Sequence, residues 1–512
     1  MKSTSLGLSL SFILLAGLNP LTTFAAKDPL PSNLDDYIES GMEEWQLPGL
    51  SIAVVKDAEA LLVKGYGVQT AGGSDPVDEN TLFAVGSTSK AFTSAALGIL
   101  VDRGEVSWNT RVRDIDPDLK LSDPWITEEI RLSDLPANHS GLSGASESLW
   151  YGSGFDREEI IERLQYVSFD EGFRYQYQYR NTMFLLAGEM IPHLVDKSWD
   201  DFITQEIFAP LGMDRSLPTD DGIENYTNVA QPHLINYNGQ PIPVPYRQMH
   251  NIGPAGSIIS SAKDFVPWLK VQLGQGEVDL VSEETLRFLH TAQTPMWGIS
   301  PNGKVRNSPF PLHSYCLGWV TESYQGLRIV WHNGNIDGMS AWVGLVPELG
   351  LGVGILTNLD DCEFRKAIFY KIVDHVANIE GEDLDPQLIE NHKAIIAHRN
   401  QVEKEWQALA DASFNPTLPL VDYTGDYHSE IMGTGSVTIQ NNRLFFKRTV
   451  EQTLELVVDS DGENDFIGRH TNPNEDLRSG KINIEFTEEN GTVTSLTDWA
   501  EGTPIVFTKV AE

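Results

Sequence analysis

The sequence predicts an α+β fold in which helices interrupt one antiparallel sheet, followed by a small all-β domain. Three observations support this prediction. Short apolar runs at hairpin spacing occur near the N-terminus and again beyond residue 315, while residues 121–289 show little strand character. From Asp422 onward the pattern changes to short alternating strands separated by turn signals. Strands that bracket a helical insertion are typical of one sheet covered by helices, not of repeated β-α units.

The first elements are a helix, a hairpin and a second helix. Asn33 to Trp45 has the apolar spacing of a short amphipathic helix. Leu50 to Val55 and Ala60 to Val63 are predicted to pair as a buried hairpin. Ser87 to Leu100 carries apolar residues at helical spacing after a Gly-Ser turn and stops at Gly104, which predicts a helix.

The middle of the chain contributes helices and loops, including a helical run from Met183 to Ile191. The sheet is expected to resume after this insertion, and Ala367 to Ala377 is predicted to follow it as a helix. The strands predicted here are Tyr315 to Val320, Leu327 to Trp331, Ala341 to Val346 and Leu351 to Thr357.

A charged stretch at residues 380–386 marks a boundary, and Gln387 to Leu409 is predicted to be helical. The strands beyond it are close together, which predicts a small antiparallel barrel or sandwich. They are Val437 to Ile439, Leu444 to Phe446, Leu454 to Val458, Ile482 to Phe486 and Ile505 to Thr508. The predicted organisation is a signal at residues 1–25, a main domain at 26–380, a helical linker at 381–415 and a β-barrel domain at 416–512.

The N-terminus is typical of a secretory signal peptide. Lys2 precedes an apolar run from Leu6 to Leu18, and small residues precede a cut after Ala25. The run is shorter than the roughly 20 apolar residues that span a bilayer, and no later segment is long and apolar enough to do so. We therefore expect a periplasmic or secreted protein without a membrane span after signal removal. The two cysteines, Cys316 and Cys362, are expected to be buried free thiols, with one disulfide as the alternative.

The charge of the chain excludes some partners. Acidic residues outnumber basic ones 73 to 36, a formal net charge of −37. Such a field repels phosphate backbones and anionic lipids, so nucleic acid is not an expected partner. No metal or nucleotide signature is present, and no cofactor is expected. The expected partner is a small-molecule or peptide substrate, and the sequence leaves the oligomeric state open.

A Ser-x-x-Lys pattern at a helix start carries the first chemical signal. One helical turn brings Ser87 and Lys90 onto the same face, where an amine can accept the proton of a serine hydroxyl. A lysine can do so only if its pKa is depressed, by desolvation or by nearby positive charge. The pattern alone is weak, because Ser260 and Lys263 repeat it.

Chain order favours the first copy. Tyr179 supplies a phenol that can relay a proton, and Asn181 supplies an amide that can orient a substrate carbonyl. His332-Asn333-Gly334 is expected just after a strand that ends at Trp331. No Tyr-x-Asn lies between Ser260 and His332, so Ser260 cannot begin a set in this order.

With these motifs the sequence resembles the serine β-lactamase and penicillin-binding-protein superfamily, most closely class C β-lactamases and their esterase, D-aminopeptidase and D,D-peptidase relatives. The resemblance covers roughly residues 33–378, and the tail from about residue 420 resembles the lipocalin-like domain of some of these hydrolases. Further similar stretches are Ile207 to Met213, Gly253 to Ser257 and His332 to Met339.

The resemblance implies a role for each matching residue. Ser87 would be the acylated nucleophile, Lys90 its partner and Tyr179 the proton relay. Asn181 would bind the substrate amide, and the backbone N–H groups of Ser87 and Asn335 would form the oxyanion hole. Low side-chain bulk at Gly334 is consistent with this, because the main chain can then approach an acyl group.

The sequence departs from the family at its third motif, where β-lactamases and D,D-peptidases usually have a lysine. Here His332 is expected to be mostly neutral at pH 7, which favours ester, amide or peptide hydrolysis over β-lactamase activity. The alternatives are a D,D-carboxypeptidase or β-lactamase, or a binding protein that uses the same cleft without turnover. The many acidic residues of the chain would raise the pKa of Lys90. We therefore predict that Lys90 is buried, because burial lowers that pKa. Trp150 and Tyr151 are interpreted as packing residues rather than cleft residues.

Overall fold

The structure, a computed structural model, describes residues 28–170, 172–296, 313–381, 383–412, 416–459 and 464–511. The predicted signal peptide lies outside these residues. Among the helices of the described part, none has the length and apolar character needed to cross a membrane.

The helices and strands follow the predicted order. The helices are α1 (Leu34–Trp45), α2 (Ser89–Asp102), α3 (Val112–Ile115), α4 (Pro124–Glu129), α5 (Arg157–Arg163), α6 (Asn181–Leu194), α7 (Trp199–Ile203), α8 (Ala209–Leu211), α9 (Gly253–Gly256), α10 (Ala262–Gln272), α11 (Glu283–Leu289), α12 (Phe364–Ala377), α13 (Asp385–Asp411) and α14 (Pro473–Ser479). The strands before α12 are β1 (Gly49–Lys56), β2 (Glu59–Gly67), β3 (Phe83–Ala84), β4 (His233–Ile235), β5 (Pro241–Pro243), β6 (Ile259–Ser260), β7 (Thr294–Pro295), β8 (His313–Tyr315), β9 (Val320–Tyr324), β10 (Leu327–Ile336), β11 (Met339–Val346) and β12 (Leu351–Thr357). Those after α13 are β13 (Gly425–Ser429), β14 (Gly433–Gln440), β15 (Arg443–Lys447), β16 (Thr453–Val458), β17 (Asp465–His470), β18 (Lys481–Glu489), β19 (Thr492–Asp498) and β20 (Ile505–Lys509).

The predicted α+β fold is confirmed. An antiparallel sheet has the strand order β2-β1-β12-β11-β10-β9-β8-β7, so the N-terminal hairpin pairs with a strand from the far end of the insertion. Helices α1 and α12 cover one face of the sheet, while α10 and other helices between β2 and β7 cover the other face. Apolar residues occupy nearly the whole of β1, because helices cover both faces of the sheet there.

Helix α2 is packed among other helices, and its burial explains its composition. Every residue from Ser89 to Leu100 is buried, and α6, α9 and α11 pack around it. A helix that is apolar on all sides must lie in a core. The short turn that precedes α2 and contains Ser87 contacts the interior strands β10 and β11 of the sheet.

Two strand predictions were wrong. Tyr315 to Val320 is not a strand, because the chain turns between β8 and β9, where Cys316 N–H donates to the Trp319 carbonyl at 2.7 Å. Gly318 has φ +74°, and a side chain there would lie 2.7 Å from the Lys90 carbonyl oxygen. The second error concerns β10, which does not end at Trp331 but continues to Ile336.

The C-terminal strands form a closed eight-stranded barrel, β13 to β20 in chain order. Aromatic rings fill its interior, including Tyr423, Tyr427, Phe446, Phe466 and Phe486. Helix α13 packs on both parts of the molecule. Its first residue, Asp385, accepts from Trp45 Nε1 at 2.8 Å, and its Glu403 pairs with Arg469 of the barrel at 3.1 Å.

Both cysteines are buried free thiols, as expected, and burial raises the pKa of each to about 12.

Candidate active site

Ser87 lies in a single 3₁₀ turn, Gly86 to Thr88, directly before α2. Gly86 has φ +53°, and a side chain on it would lie 2.9 Å from the backbone nitrogen of Asn335. Only glycine therefore allows this turn to approach β10 so closely. Ser87 is only partly buried, whereas Thr88, Ser89 and Lys90 are buried. The turn therefore leaves part of Ser87 accessible, while the residues that follow it are buried.

Lys90 extends beneath Ser87 and is completely buried. Its Nζ lies 3.1 Å from Ser87 Oγ, 2.6 Å from Asn181 Oδ1 and 2.8 Å from the Ala255 carbonyl oxygen. Desolvation lowers the pKa of Lys90 to about 7, although the negative charge of Glu147 acts to raise it. The expected burial of Lys90 is thus confirmed, and its amine can exchange a proton near neutral pH.

Tyr179 and Asn181 lie at the N-terminus of α6, opposite Lys90. The Tyr179 ring centre is 4.7 Å from Lys90 Nζ. Burial holds the pKa of Tyr179 well above its usual value, and a hydrogen bond with Ser87 only partly opposes this. The phenol therefore keeps its proton at neutral pH. Asn181 is the first residue of α6 and accepts from Lys90 through its side-chain oxygen.

Glu147 is a site residue that the sequence did not reveal. It lies in a 3₁₀ turn, Gly144–Leu149, and both of its carboxylate oxygens accept from Asn181. The backbone N–H of Asn181 donates to Oε1 at 2.9 Å, and its side-chain Nδ2 donates to Oε2 at 2.7 Å. Trp150 Nε1 also donates to Oε2, at 3.0 Å. No motif spacing marks Glu147, because only the tertiary fold brings it to Asn181.

His332 lies within β10 and faces the interior. Its Nε2 is 3.0 Å from the Tyr315 hydroxyl, and its Nδ1 is 2.6 Å from the Asn333 carbonyl oxygen. Burial, with the positive charge of Lys90, lowers the pKa of His332 to about 3. The imidazole is therefore neutral at pH 7, as expected, and burial is the larger cause.

Gly334 and Asn335 place the main chain of β10 against the Ser87 turn. A side chain on Gly334 would lie 1.9 Å from the Val85 carbonyl oxygen and 3.1 Å from the backbone nitrogen of Ser87. Asn335 donates through Nδ2 to Asp361 at 3.2 Å, which fixes its side chain. The backbone amides of Ser87 and Asn335 therefore belong to two segments in direct contact.

The second Ser-x-x-Lys pattern does not form such a cluster. Ser260 lies in β6, where its buried hydroxyl is 2.8 Å from Ser216 Oγ, and Lys263 is exposed on α10. The residues that chain order favoured are the ones that the structure brings together.

A cavity of about 670 Å³ lies beside this cluster. Glu147, Tyr179 and Asn181 line one side of it. Trp150 and Tyr151 also line it, so their interpretation as packing residues alone was wrong. Three residues of the C-terminal domain also line it, namely Arg478, Gly502 and Thr503.

Comparisons with known proteins identify the family and the fold. The family model described as Beta-lactamase matches residues 34–377. An "Unguisins hydrolase ungD'" of Aspergillus campestris is 31% identical over 78% of this chain and 76% of its own length. The octameric penicillin-binding protein homologue from Pyrococcus abyssi superimposes with a TM-score of 0.60 at 21% identity, over 93% of this chain and 99% of that one. A class C β-lactamase superimposes with a TM-score of 0.55 at 20% identity, over 68% of this chain and 96% of that one.

The family match covers the sheet, the insertion and every residue of the cluster around Ser87. The Pyrococcus abyssi structure covers more of the chain than this, so the shared fold includes C-terminal strands. The chain belongs to the β-lactamase family of serine hydrolases, with a closed β-barrel added at its C-terminus.

Proposed function

We propose that this protein is an exported serine hydrolase that cleaves ester, amide or peptide bonds through an acyl-enzyme on Ser87. The contact between Ser87 Oγ and the buried Lys90 amine, 3.1 Å apart, carries this proposal. With a pKa of about 7, Lys90 is partly unprotonated at neutral pH and can accept the hydroxyl proton.

In the proposed reaction, Ser87 Oγ attacks the substrate carbonyl carbon while its proton passes to Lys90. The backbone N–H groups of Ser87 and Asn335 stabilise the resulting oxyanion. Tyr179 then donates its hydroxyl proton to the leaving group as the scissile bond breaks, and it receives in exchange the proton that Lys90 took from Ser87. Water then attacks the acyl-enzyme, the acid leaves and Ser87 regains its proton. Asn181 binds the substrate amide while it holds Lys90 in place.

The neutral imidazole supports ester, amide or peptide substrates over β-lactams and D,D-peptides. The buried His332 stands where relatives place a lysine, so this position offers no fixed positive charge to a substrate carboxylate. The named relatives include both an unguisins hydrolase and a β-lactamase, which supports hydrolysis without selecting one substrate.

We also propose that the chain is periplasmic or secreted and that cleavage after Ala25 leaves an N-terminus at Ala26. The basic residue, apolar run and small residues of the first 25 positions support this. N-terminal sequencing of the protein recovered from the extracytoplasmic fraction should begin at Ala26, and a retained Met1 would contradict it.

Labelling with a fluorophosphonate tests the nucleophile. Intact mass should show one adduct on the wild type and none on Ser87→Ala, because this variant lacks the hydroxyl that the probe modifies. Ser260→Ala is the matched control and should label like the wild type. An adduct on Ser87→Ala, or none on the wild type, would reject Ser87 as nucleophile.

A parallel penicillin arm separates the alternatives. Stable labelling or consumption of penicillin by the wild type, lost in Ser87→Ala, would favour a D,D-carboxypeptidase or a β-lactamase. Ligand binding without any adduct would favour a binding protein.

Glu147→Gln is expected to move the acid limb of the pH–rate profile to lower pH. The Glu147 carboxylate raises the pKa of Lys90, so its removal lowers that pKa. Because unprotonated Lys90 is the proposed base, activity then persists further into acid. At pH 9 we expect a loss below about tenfold, since glutamine has a similar shape and keeps one acceptor for Asn181. Labelling rates from pH 5 to 9 measure this, and an upward shift would contradict it.

A further inference from the structure

The barrel contacts the main domain through a buried arginine. Arg448 follows β15, and its side chain is 4% exposed, while that of its ion-pair partner Asp498 is fully buried. The guanidinium donates through Nε to Asp498 and through Nη1 to Gln452 Oε1 at 2.6 Å. Two barrel residues thus fix its orientation, and its remaining nitrogen, Nη2, donates to Ser148 Oγ of the main domain at 2.9 Å.

Further contacts join the barrel to the same segment of the main domain. Thr449 Oγ1 donates to the Gly152 carbonyl oxygen at 2.6 Å, and Gln452 Nε2 donates to the Tyr151 carbonyl oxygen at 3.2 Å. The turn at Ala500–Gly502 packs directly on the turn at Gly144–Leu149. Asp498 also holds this barrel turn, because it accepts from Ala500 N–H at 2.9 Å.

Ser148 is the neighbour of Glu147, so the Arg448 contact acts on the turn that reaches the active site. Glu147 accepts twice from Asn181, and Asn181 accepts from Lys90 Nζ at 2.6 Å. Lys90 in turn lies 3.1 Å from Ser87 Oγ. Hydrogen bonds weaken steeply when their angles and distances change, so a shift of this turn would disturb Asn181 and Lys90 together.

We propose that Arg448 is a positioning residue of the active site, through which the C-terminal barrel fixes Glu147 against Asn181. This inference rests on the proposed function, since it concerns the activation of Ser87. Arg448 itself touches neither Lys90 nor Ser87 and acts only through the Gly144–Leu149 turn. The barrel is therefore part of the catalytic unit, not an appended module.

Ser148→Ala and Arg448→Lys test this in the full-length protein. Ser148→Ala removes only the accepting hydroxyl and leaves the Arg448–Asp498 pair in place. Arg448→Lys keeps a cation beside Asp498 but loses the fork that reaches Ser148. We expect each to label 3- to 10-fold more slowly with fluorophosphonate at pH 8, a fold-change typical of one lost hydrogen bond. We expect the acid limb to move in the same direction as in Glu147→Gln, by less.

The double variant and a matched control complete the test. Ser148→Ala/Arg448→Lys should be no slower than the slower single variant, because both changes remove one contact. Arg469→Lys alters a barrel arginine that pairs with Glu403 and Glu455 and should leave rate and limb unchanged.

Suppose that the wild type labels on Ser87 and that both single variants match it in labelling rate and in the acid limb of the pH–rate profile. This result would overturn the positioning role and leave the proposed function standing. Additive losses in the double variant, or slower labelling without a shift of the limb, would also overturn it. Absence of wild-type labelling would instead reject the proposed function.

Discussion

Replacing Lys90 with Met is expected to abolish most of the acylation of Ser87, by about 10²- to 10⁴-fold, the range that a positioned general base contributes. Methionine fills a similar volume but cannot accept the hydroxyl proton. The change also leaves Asn181 Oδ1 and the Ala255 carbonyl oxygen without a donor, at a cost of about 1–3 kcal/mol for each unsatisfied group. Labelling rates should therefore be measured well below the unfolding temperature of the variant.

Lys90→Arg tests whether Lys90 acts as a base or only through its positive charge. Arginine keeps a cation and donors but does not lose its proton at working pH, so we expect it to be about as slow as Lys90→Met. In the wild type, activity should fall as the pH drops through about 7, because protonated Lys90 cannot act as a base. His332 has a pKa of about 3 and stays neutral near pH 7, so it adds no second transition to the pH–rate profile in this range.

Lys263→Met is the matched control, because Lys263 ends the other Ser-x-x-Lys pattern and is exposed. It should label like the wild type. Rapid labelling of Lys90→Arg, or an acid limb that persists in it, would show that another group accepts the proton.

Local sequence patterns were enough to predict the helices and strands that have clear apolar spacing or a clear start signal. Helix α2 was predicted within two residues of its observed start, because Gly86 and continuous apolar spacing mark it. Strands β13, β17 and β19 were not predicted, because each contains only one or two apolar side chains and so forms no apolar run. Apolar runs alone misplaced the turn at Cys316 to Trp319, whose residues are buried by packing next to Lys90.

The site shows the same division between local and tertiary information. Ser87, Lys90, Tyr179 and Asn181 were found because their spacing and order are local or simple. Glu147 was not found, since it meets Asn181 across 34 residues with no motif of its own. The contribution of the barrel was equally hidden, because Arg448 and Ser148 lie 300 residues apart in the chain. Contacts of this kind depend on domain packing, which no periodicity encodes.

Gly334→Ala is expected to separate the two halves of the proposed oxyanion hole. The added carbon would lie 1.9 Å from the Val85 carbonyl oxygen, a backbone atom that no rotamer change can move. Either β10 or the Ser87 turn must shift, which changes the spacing between the Ser87 and Asn335 amides. A displacement of about 1 Å can cost on the order of 10²-fold in rate. Overpacking of this kind destabilises by about 1–3 kcal/mol.

Gly354→Ala provides the matched control for this change. Gly354 lies in β12 of the same sheet, and the nearest atoms to its added carbon belong to the Phe265 side chain, at 3.1 Å, and not to the backbone. We expect this variant to label within about threefold of the wild type, and to lose little stability because alanine also restricts the unfolded chain. If Gly334→Ala labels at the wild-type rate, the proposed role of the contact between the β10 main chain and the Ser87 turn is contradicted. Slower labelling at an unchanged melting temperature would show that the contact serves acylation more than folding.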